Sequence, residues 1–355
     1  MKLEINRTPW QKQQTKVKTQ ACIQAISFYV PPKVETNEML GKEFRNKIST
    51  TVFKKVGVNE RHIFEPVQPA SAMALQAAEN LFAEHDINRN EIDALIYCSV
   101  HHDYVTPSTS CVLQHKLGLN ENIATYDLTF GCSGYVYSLS LAKSIIQSLG
   151  FKKVLLLTSS ALTKYIHPKD HASRIIFGDG ASATLIVAEE NSEKGIGSFV
   201  FGTDGSGFEK IIIRHGADFQ KVTPQSLEEK ADEFGNIYSD ANYFMDGQAV
   251  LTFTMKKVPL LIEDTLSKNN LTKNDIDLFV LHQANDFMNE QVRKLAAIEK
   301  EKFYSHIENY GNTVQATIPI ALKAAIAEGK IKSGSKVFVA GFGVGLSWCA
   351  TVINF

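Results

Sequence analysis

The chain has 355 residues, of which 44% are hydrophobic and 21% charged, and its formal net charge is −1. That composition belongs to a soluble globular protein with a sizeable core, and so balanced a charge gives nucleic acid no footing along the chain as a whole. No apolar run approaches the roughly 20 residues of a membrane span, and the five cysteines (Cys22, Cys98, Cys111, Cys132, Cys349) lack the CxxC spacing of a zinc ribbon or a disulfide framework.

Residues 1–21 are polar and mildly basic, without the apolar segment of a secretory signal, so they read as a surface arm on a cytoplasmic protein. Trp10 is placed to pin that arm to the body. The first helical pattern is 72–85, followed by an apolar strand at 92–100. His101, His102 and Asp103 come next. An adjacent His-His pair cannot easily aim both rings at one ion, so they read as a loop rather than a metal site. A second helix, 132–150, carries Val136, Leu139, Ala142 and Ile146 on one face and stops at Gly150. Apolar strands VLLLTS and ATLIV follow, with the glycine-rich turn GDG (178–180) between them; no Gly-Lys-Ser follows that turn, so it is not a phosphate loop.

The same order then recurs. A helix at 250–266 precedes a strand at 276–283, a helix at 313–329 precedes VFVAGF, and the chain closes on CATVINF. Asp93 and Asp277, each in an Ile-Asp pair before a strand, are 184 residues apart; KKVLLLTSS and SKVFVAGFG begin 183 apart. One offset at two places marks duplicated halves of one globule, in a layered α/β architecture. The boundaries expected are an arm at 1–21, a first half at 22–195 and a second at 196–355. Residues 203–248 have no counterpart and read as a loop-rich insertion over a site.

Superposing the halves sets Cys132 against Ala316, close to Asn312, and His282 against Cys98. Two helix starts and a strand end then converge on one centre, where α/β folds place their sites. Free N–H groups and the positive end of a helix lower a thiol's pKa, and Gly131 and Gly134 permit close approach to Cys132. A Cys, a His and an Asn also fit a cysteine hydrolase, so the trio alone leaves the chemistry open.

Five segments in order narrow it. GCSGYVYSLSLAKSIIQSLG around Cys132, RIIFGDGASATLIV (174–187), LHQAN (281–285), YGNT (310–313) and GFGVGLSW (341–348) resemble the motifs of ketoacyl-ACP synthase III, a condensing enzyme of the thiolase superfamily. VGVNERHI (56–63) and VPPKVETNEML (30–40) are similar to its N-terminal region. The resemblance implies a thiolase-like α-β-α-β-α fold and a decarboxylative Claisen condensation. Cys132 would hold the acyl group, His282 and Asn312 would donate to the carbonyl of a malonyl- or β-ketoacyl-type thioester, and the backbone N–H groups of Cys132 and Val344 would form the oxyanion hole. Phe342 would be the aromatic wall; Thr106, Gln248, Asn285, Phe287 and Gln315 would meet substrate. Arg293 and Lys294 would dock acyl carrier protein, the expected partner of a homodimer. No metal or redox cofactor is implied, since phosphopantetheine arrives with the substrate.

Departures from the family are also legible. Thr51 and His171 stand where the family stacks a coenzyme A adenine between Trp and Arg, with Arg174 nearby. Thr106 replaces a bulky gate, Gln315 and Val344 replace smaller residues, Gln248 stands for an Asn, and Phe287 for an Arg. They point to a specialised paralogue with an unusual acyl donor, possible in secondary metabolism. Acyl transfer or non-decarboxylative condensation (with Asp103 as base) and a non-catalytic partner subunit are the alternatives.

Overall fold

A computed structural model describes residues 19–45, 48–65 and 67–355. The first strand runs Thr19–Tyr29, so the expected arm ends by residue 18 and its Trp10 lies outside the described residues. Two five-stranded sheets organise the chain. In the first, Thr19–Tyr29 pairs antiparallel with Gly180–Glu190, which pairs antiparallel with Lys153–Ser160; Ala94–Cys98 and then Ala124–Leu128 add in parallel. In the second, Leu278–Leu281 runs parallel to Lys336–Gly343, which forms a hairpin with Ser347–Asn354; Gly195–Ile196 and Val200–Thr203 complete the edge.

Between the sheets lie two helices, Gly134–Leu149 and Thr317–Ala327, and one core unites them with both sheets. Val136, Leu139 and Ile146 from the first helix and Ile318, Leu322 and Ala325 from the second meet Ile96 and Leu156 of one sheet and Val280 and Val339 of the other. Residues alternating with these point outward. Leu95, Tyr97 and Leu155 pack under the Ala70–His85 helix, and Phe279 and Phe338 pack under Gly247–Lys268 and Asp286–Leu295. Strands buried on both faces are why the sequence shows continuous apolar runs there. The α-β-α-β-α order expected from the resemblance is therefore present.

The repeat also does the same work twice. Asp93 Oδ2 accepts from the N–H groups of Lys152 and Lys153 at 2.7 and 2.9 Å, and Asp277 Oδ2 accepts from Lys336 N–H at 2.7 Å. Each carboxylate latches the start of one central strand to the next. Asp93→Ala is expected to cost about 2 kcal/mol in urea unfolding and Asp277→Ala about 1, following the number of N–H groups left without a charged acceptor. Equal effects, or none, would show that the latches do not hold the sheets.

Candidate active site

The Gly134–Leu149 helix begins two residues after Cys132, so the cysteine sits in the tight turn before the helix rather than in its first turn. A Cβ built on Gly341 would lie 2.7 Å from the Cys132 carbonyl oxygen, and one on Gly343 would lie 2.8 Å from the Cys132 Sγ. Only glycine permits the closing hairpin to press this near. The hairpin is fastened by Ser347, whose Oγ donates to Val344 O and lies 2.8 Å from Ser133 Oγ. The result aims the Val344 N–H, with that of Cys132 itself, at the sulfur.

Those two N–H groups pull the thiol down, but burial outweighs them and pushes Cys132 up to about 11. This corrects the expectation of a lowered thiol: the sulfur opens into cavities, yet protein surrounds it, and desolvation disfavours the thiolate. Alkylation of Cys132 by iodoacetamide is accordingly expected to rise about tenfold per pH unit from pH 6 to 9 with no plateau. A plateau near pH 7 would mean that the turn stabilises the thiolate more than burial opposes it.

His282 follows the Leu278–Leu281 strand and is fixed there by its own N–H, which donates to Ala340 O at 2.8 Å. Burial pushes its imidazole down to about 3, so the ring is neutral. Nδ1 lies 2.8 Å from Thr317 Oγ1, which is 3.0 Å from Val314 O, and Phe342 stands edge-on to the ring at 5.8 Å. Asn312 is clamped at both ends of its amide: Oδ1 accepts from Val314 N–H at 2.9 Å, and Nδ2 donates to Ala284 O at 3.3 Å. Its second N–H remains for a ligand. Val314 holds φ +55°, a left-handed conformation that β-branched residues avoid, and its N–H contact to Asn312 comes from that bend. The segment joins the halves, since Asn312 N–H donates to Ile176 O at 2.8 Å.

Cys132, His282, Asn312, Phe342 and Asn285 line one cavity of about 140 Å³, along with Thr254 and Met288. A larger cavity of about 340 Å³ also borders Cys132, lined by Val100, His101, Leu162, Tyr165, Ile212 and Val344 among others. Phe177, Ile211 and Tyr243 wall both. The 203–248 insertion therefore supplies walls of the site through its short strands Ile211–Ile213 and Tyr243–Met245.

Several expected substrate contacts are elsewhere. Gln315 is wholly buried, borders neither cavity, and donates through Nε2 to Ser159 O, tying the two halves together. Gln248 is exposed at the start of the Gly247–Lys268 helix, and Asn285 uses its side chain to cap the next helix through Met288 N–H, although it borders the small cavity. Thr106 lies on an exposed loop away from both cavities of its own chain, and Phe287 is on the surface. Arg293 is engaged by Glu290 and the Ile298 carbonyl, and exposed Lys294 reaches the same Glu290 at 3.5 Å. Asp103 accepts from Ser71 Oγ at 2.7 Å and lines neither cavity at Cys132. Conversely His101, read as an ordinary loop residue, lines the large cavity. Tyr243 and Thr254 were not singled out at all: Tyr243 lies in an insertion without periodicity, and Thr254 in a helix whose apolar spacing gives no sign of a polar group facing inward.

At the expected nucleotide clamp, Arg174 is paired with Glu35 and Glu43, the His171 ring packs on Phe44 at 4.3 Å, and Thr51 is exposed on a surface helix. Among the described residues there is no cluster of His, Cys, Asp and Glu able to hold a metal ion, and no helix long and apolar enough to cross a membrane.

Comparison with known proteins agrees with this arrangement. Residues 126–205 match the 3-oxoacyl-[acyl-carrier-protein] synthase III family model, and residues 266–355 match the model of its C-terminal part. A β-ketoacyl-[acyl-carrier-protein] synthase III of Koribacter versatilis is 33% identical over 339 residues, covering 94% of this chain and 98% of the relative. A crystal structure of a 3-oxoacyl-(acyl-carrier-protein) synthase III superposes with a TM-score of 0.92 at 39% identity, over 95% of this chain and all of that one. A 3-oxoacyl-(acyl-carrier protein) synthase from Burkholderia xenovorans LB400 gives 0.86 at 30%, over 96% of each chain. With its two-sheet thiolase fold and its match along nearly the whole length, the chain belongs to the β-ketoacyl-ACP synthase III family of condensing acyltransferases.

Proposed function

We propose that this chain carries out decarboxylative Claisen condensation, with Cys132 as the nucleophile. Cys132 Sγ attacks an acyl thioester, displacing the carrier thiol, and the backbone N–H groups of Cys132 and Val344 stabilise the oxyanion. A malonyl-type thioester, whose free carboxylate is the source of the CO₂, then enters the small cavity. His282 and Asn312 donate to its carbonyl oxygen, CO₂ leaves, and the resulting carbanion attacks the acyl carbon and frees the cysteine. Neutral His282 suits donation, and for Nε2 to carry the proton the Thr317 hydroxyl must turn toward Nδ1. Phe342 beside the ring keeps the departing carboxylate in apolar surroundings. The proposal needs no metal or redox cofactor.

The observation that carries this reading is the joint lining of one small cavity by Cys132, His282 and Asn312. Among the described residues no carboxylate lines either cavity at the sulfur, which favours decarboxylation over abstraction of a proton by a base. Engagement of Arg174 by two glutamates supports a donor other than an ordinary acyl-CoA and, with it, a specialised paralogue using acyl carrier protein. The homodimer, with Thr106 reaching the partner's pocket, and docking of the carrier at Lys294 belong to the same proposal. The test is intact mass after incubation with a panel of acyl-ACP and acyl-CoA donors, with Cys132→Ser as control. An acyl adduct lost in the variant supports the nucleophile. No adduct from any donor favours a partner-subunit role, and acetyl-CoA as the best donor by a wide margin sinks the specialised reading.

A further inference from the structure

The large cavity at Cys132 is mostly apolar, with Val100, Leu162, Phe177 and Ile213 in its walls. Besides Cys132, the polar side chains His101, Tyr165, His215 and Tyr243 interrupt that lining; Tyr165 is exposed to solvent, and two of the others are poorly paired. Among the described residues neither ring nitrogen of His101 reaches solvent or has a hydrogen-bond partner. The ring lies nearly parallel to Tyr165, with centroids 5.0 Å apart, so its faces are satisfied by packing and its edge is not. Burial pushes the imidazole down to about 4, leaving a neutral ring with one N–H donor and one lone pair. The second group is the hydroxyl of buried Tyr243, which among the described residues reaches the Met245 sulfur at 3.5 Å, a weak acceptor. His215, by contrast, is already joined through Nδ1 to Lys221 O at 3.1 Å.

Buried polar groups are nearly always paired, and one left without a partner opposes the entry of anything that cannot pair with it. An alkyl chain filling this cavity would leave the already buried groups as they are, the His101 nitrogens unpaired and the Tyr243 hydroxyl on sulfur. A hydroxyl on the acyl chain can accept from the ring N–H or donate to the ring lone pair, and a keto oxygen can accept from His101 or Tyr243. We infer that the large cavity receives an oxygen-substituted acyl group, bearing a hydroxyl or keto function, and that His101 and Tyr243 select it. The inference rests on the acyl-enzyme reading above and names the class of acyl donor.

The test uses matched pairs of N-acetylcysteamine thioesters, one alkyl and one carrying oxygen at successive carbons from the third onward, so that carrier recognition plays no part. Rates of Cys132 acylation are read by intact mass. At one chain position the oxygenated member is expected to acylate about tenfold faster, the size of one net hydrogen bond. His101→Leu is expected to abolish or reverse that ratio. Tyr243→Phe, which removes one oxygen and keeps the ring, is expected to shrink it. Adducts on Cys132 with no preference at any position, or a preference that both variants retain, overturn this inference alone. No adduct from any thioester overturns it together with the acyl-enzyme reading.

Discussion

With His282 replaced by alanine, condensation is expected to fall by roughly 10²–10³-fold while Cys132 still accepts an acyl group. The separation follows from geometry. The sulfur and its two backbone donors belong to the nucleophile turn and the closing hairpin, and neither depends on the imidazole. His282 faces the small cavity, where charge develops on the second thioester's carbonyl as CO₂ leaves. Asn312→Ala should fall by a similar factor, and the double variant should be far less than multiplicatively worse, because the two donors serve one oxygen. The measurement is CO₂ release from a malonyl thioester beside acyl-adduct formation. Loss of acylation in step with condensation would mean that His282 acts on the thiol itself. A base with a pKa near 3 is a poor candidate for that.

Gly343→Ala is expected to lower activity by about 100-fold or more without unfolding the chain. The glycine sits at φ +156° in the closing hairpin, and an added Cβ would lie 2.8 Å from both Cβ and Sγ of Cys132. Either the sulfur or the Val344 N–H must move, and both belong to the same reaction centre. Gly329→Ala separates crowding from backbone strain: its φ is +70°, and nothing stands within 4 Å of the new methyl. It should cost about 1 kcal/mol of stability and leave acylation and condensation intact. Equal activity losses in the two variants would trace the effect to backbone strain and away from contact with the sulfur.

The repeat was readable because it is built from strong local signals. An Ile-Asp pair before an apolar strand recurs at 93 and 277 since each aspartate latches the same junction, and the strands read as continuous apolar runs since both faces are buried. Cys132, His282 and Asn312 were legible as motif members, although the contacts that hold them come from other segments. The properties that depend on distant parts were not legible. The pKa of Cys132 is set by burial under a hairpin some 200 residues away, which no local pattern around the cysteine reports. Gln315 is displaced from the substrate list because it faces Ser159 in the other half, and His101 joins the cavity because its loop folds inward. The 203–248 insertion was read as covering a site, but which of its residues face inward depends on short strands with no periodicity to announce them.

The two central helices come from equivalent places in the duplicated halves, yet their beginnings have diverged. Where one half keeps Cys132, the other has wholly buried Ala316 at the matching offset, and Gln315 beside it crosses to the first half. An arrangement of two equal ends has become one with a single reactive end and a polar strut. The asymmetry gives the reaction a direction. In the proposed reaction the acyl group is stored at this one end, and the small cavity furnished with His282 and Asn312 is left to receive what the stored group will be joined to. On the proposed reaction a duplicated scaffold with one cysteine acts as a one-way coupling device, in which Ala316 at the second helix start, as much as Cys132 at the first, fixes which partner is stored and which arrives.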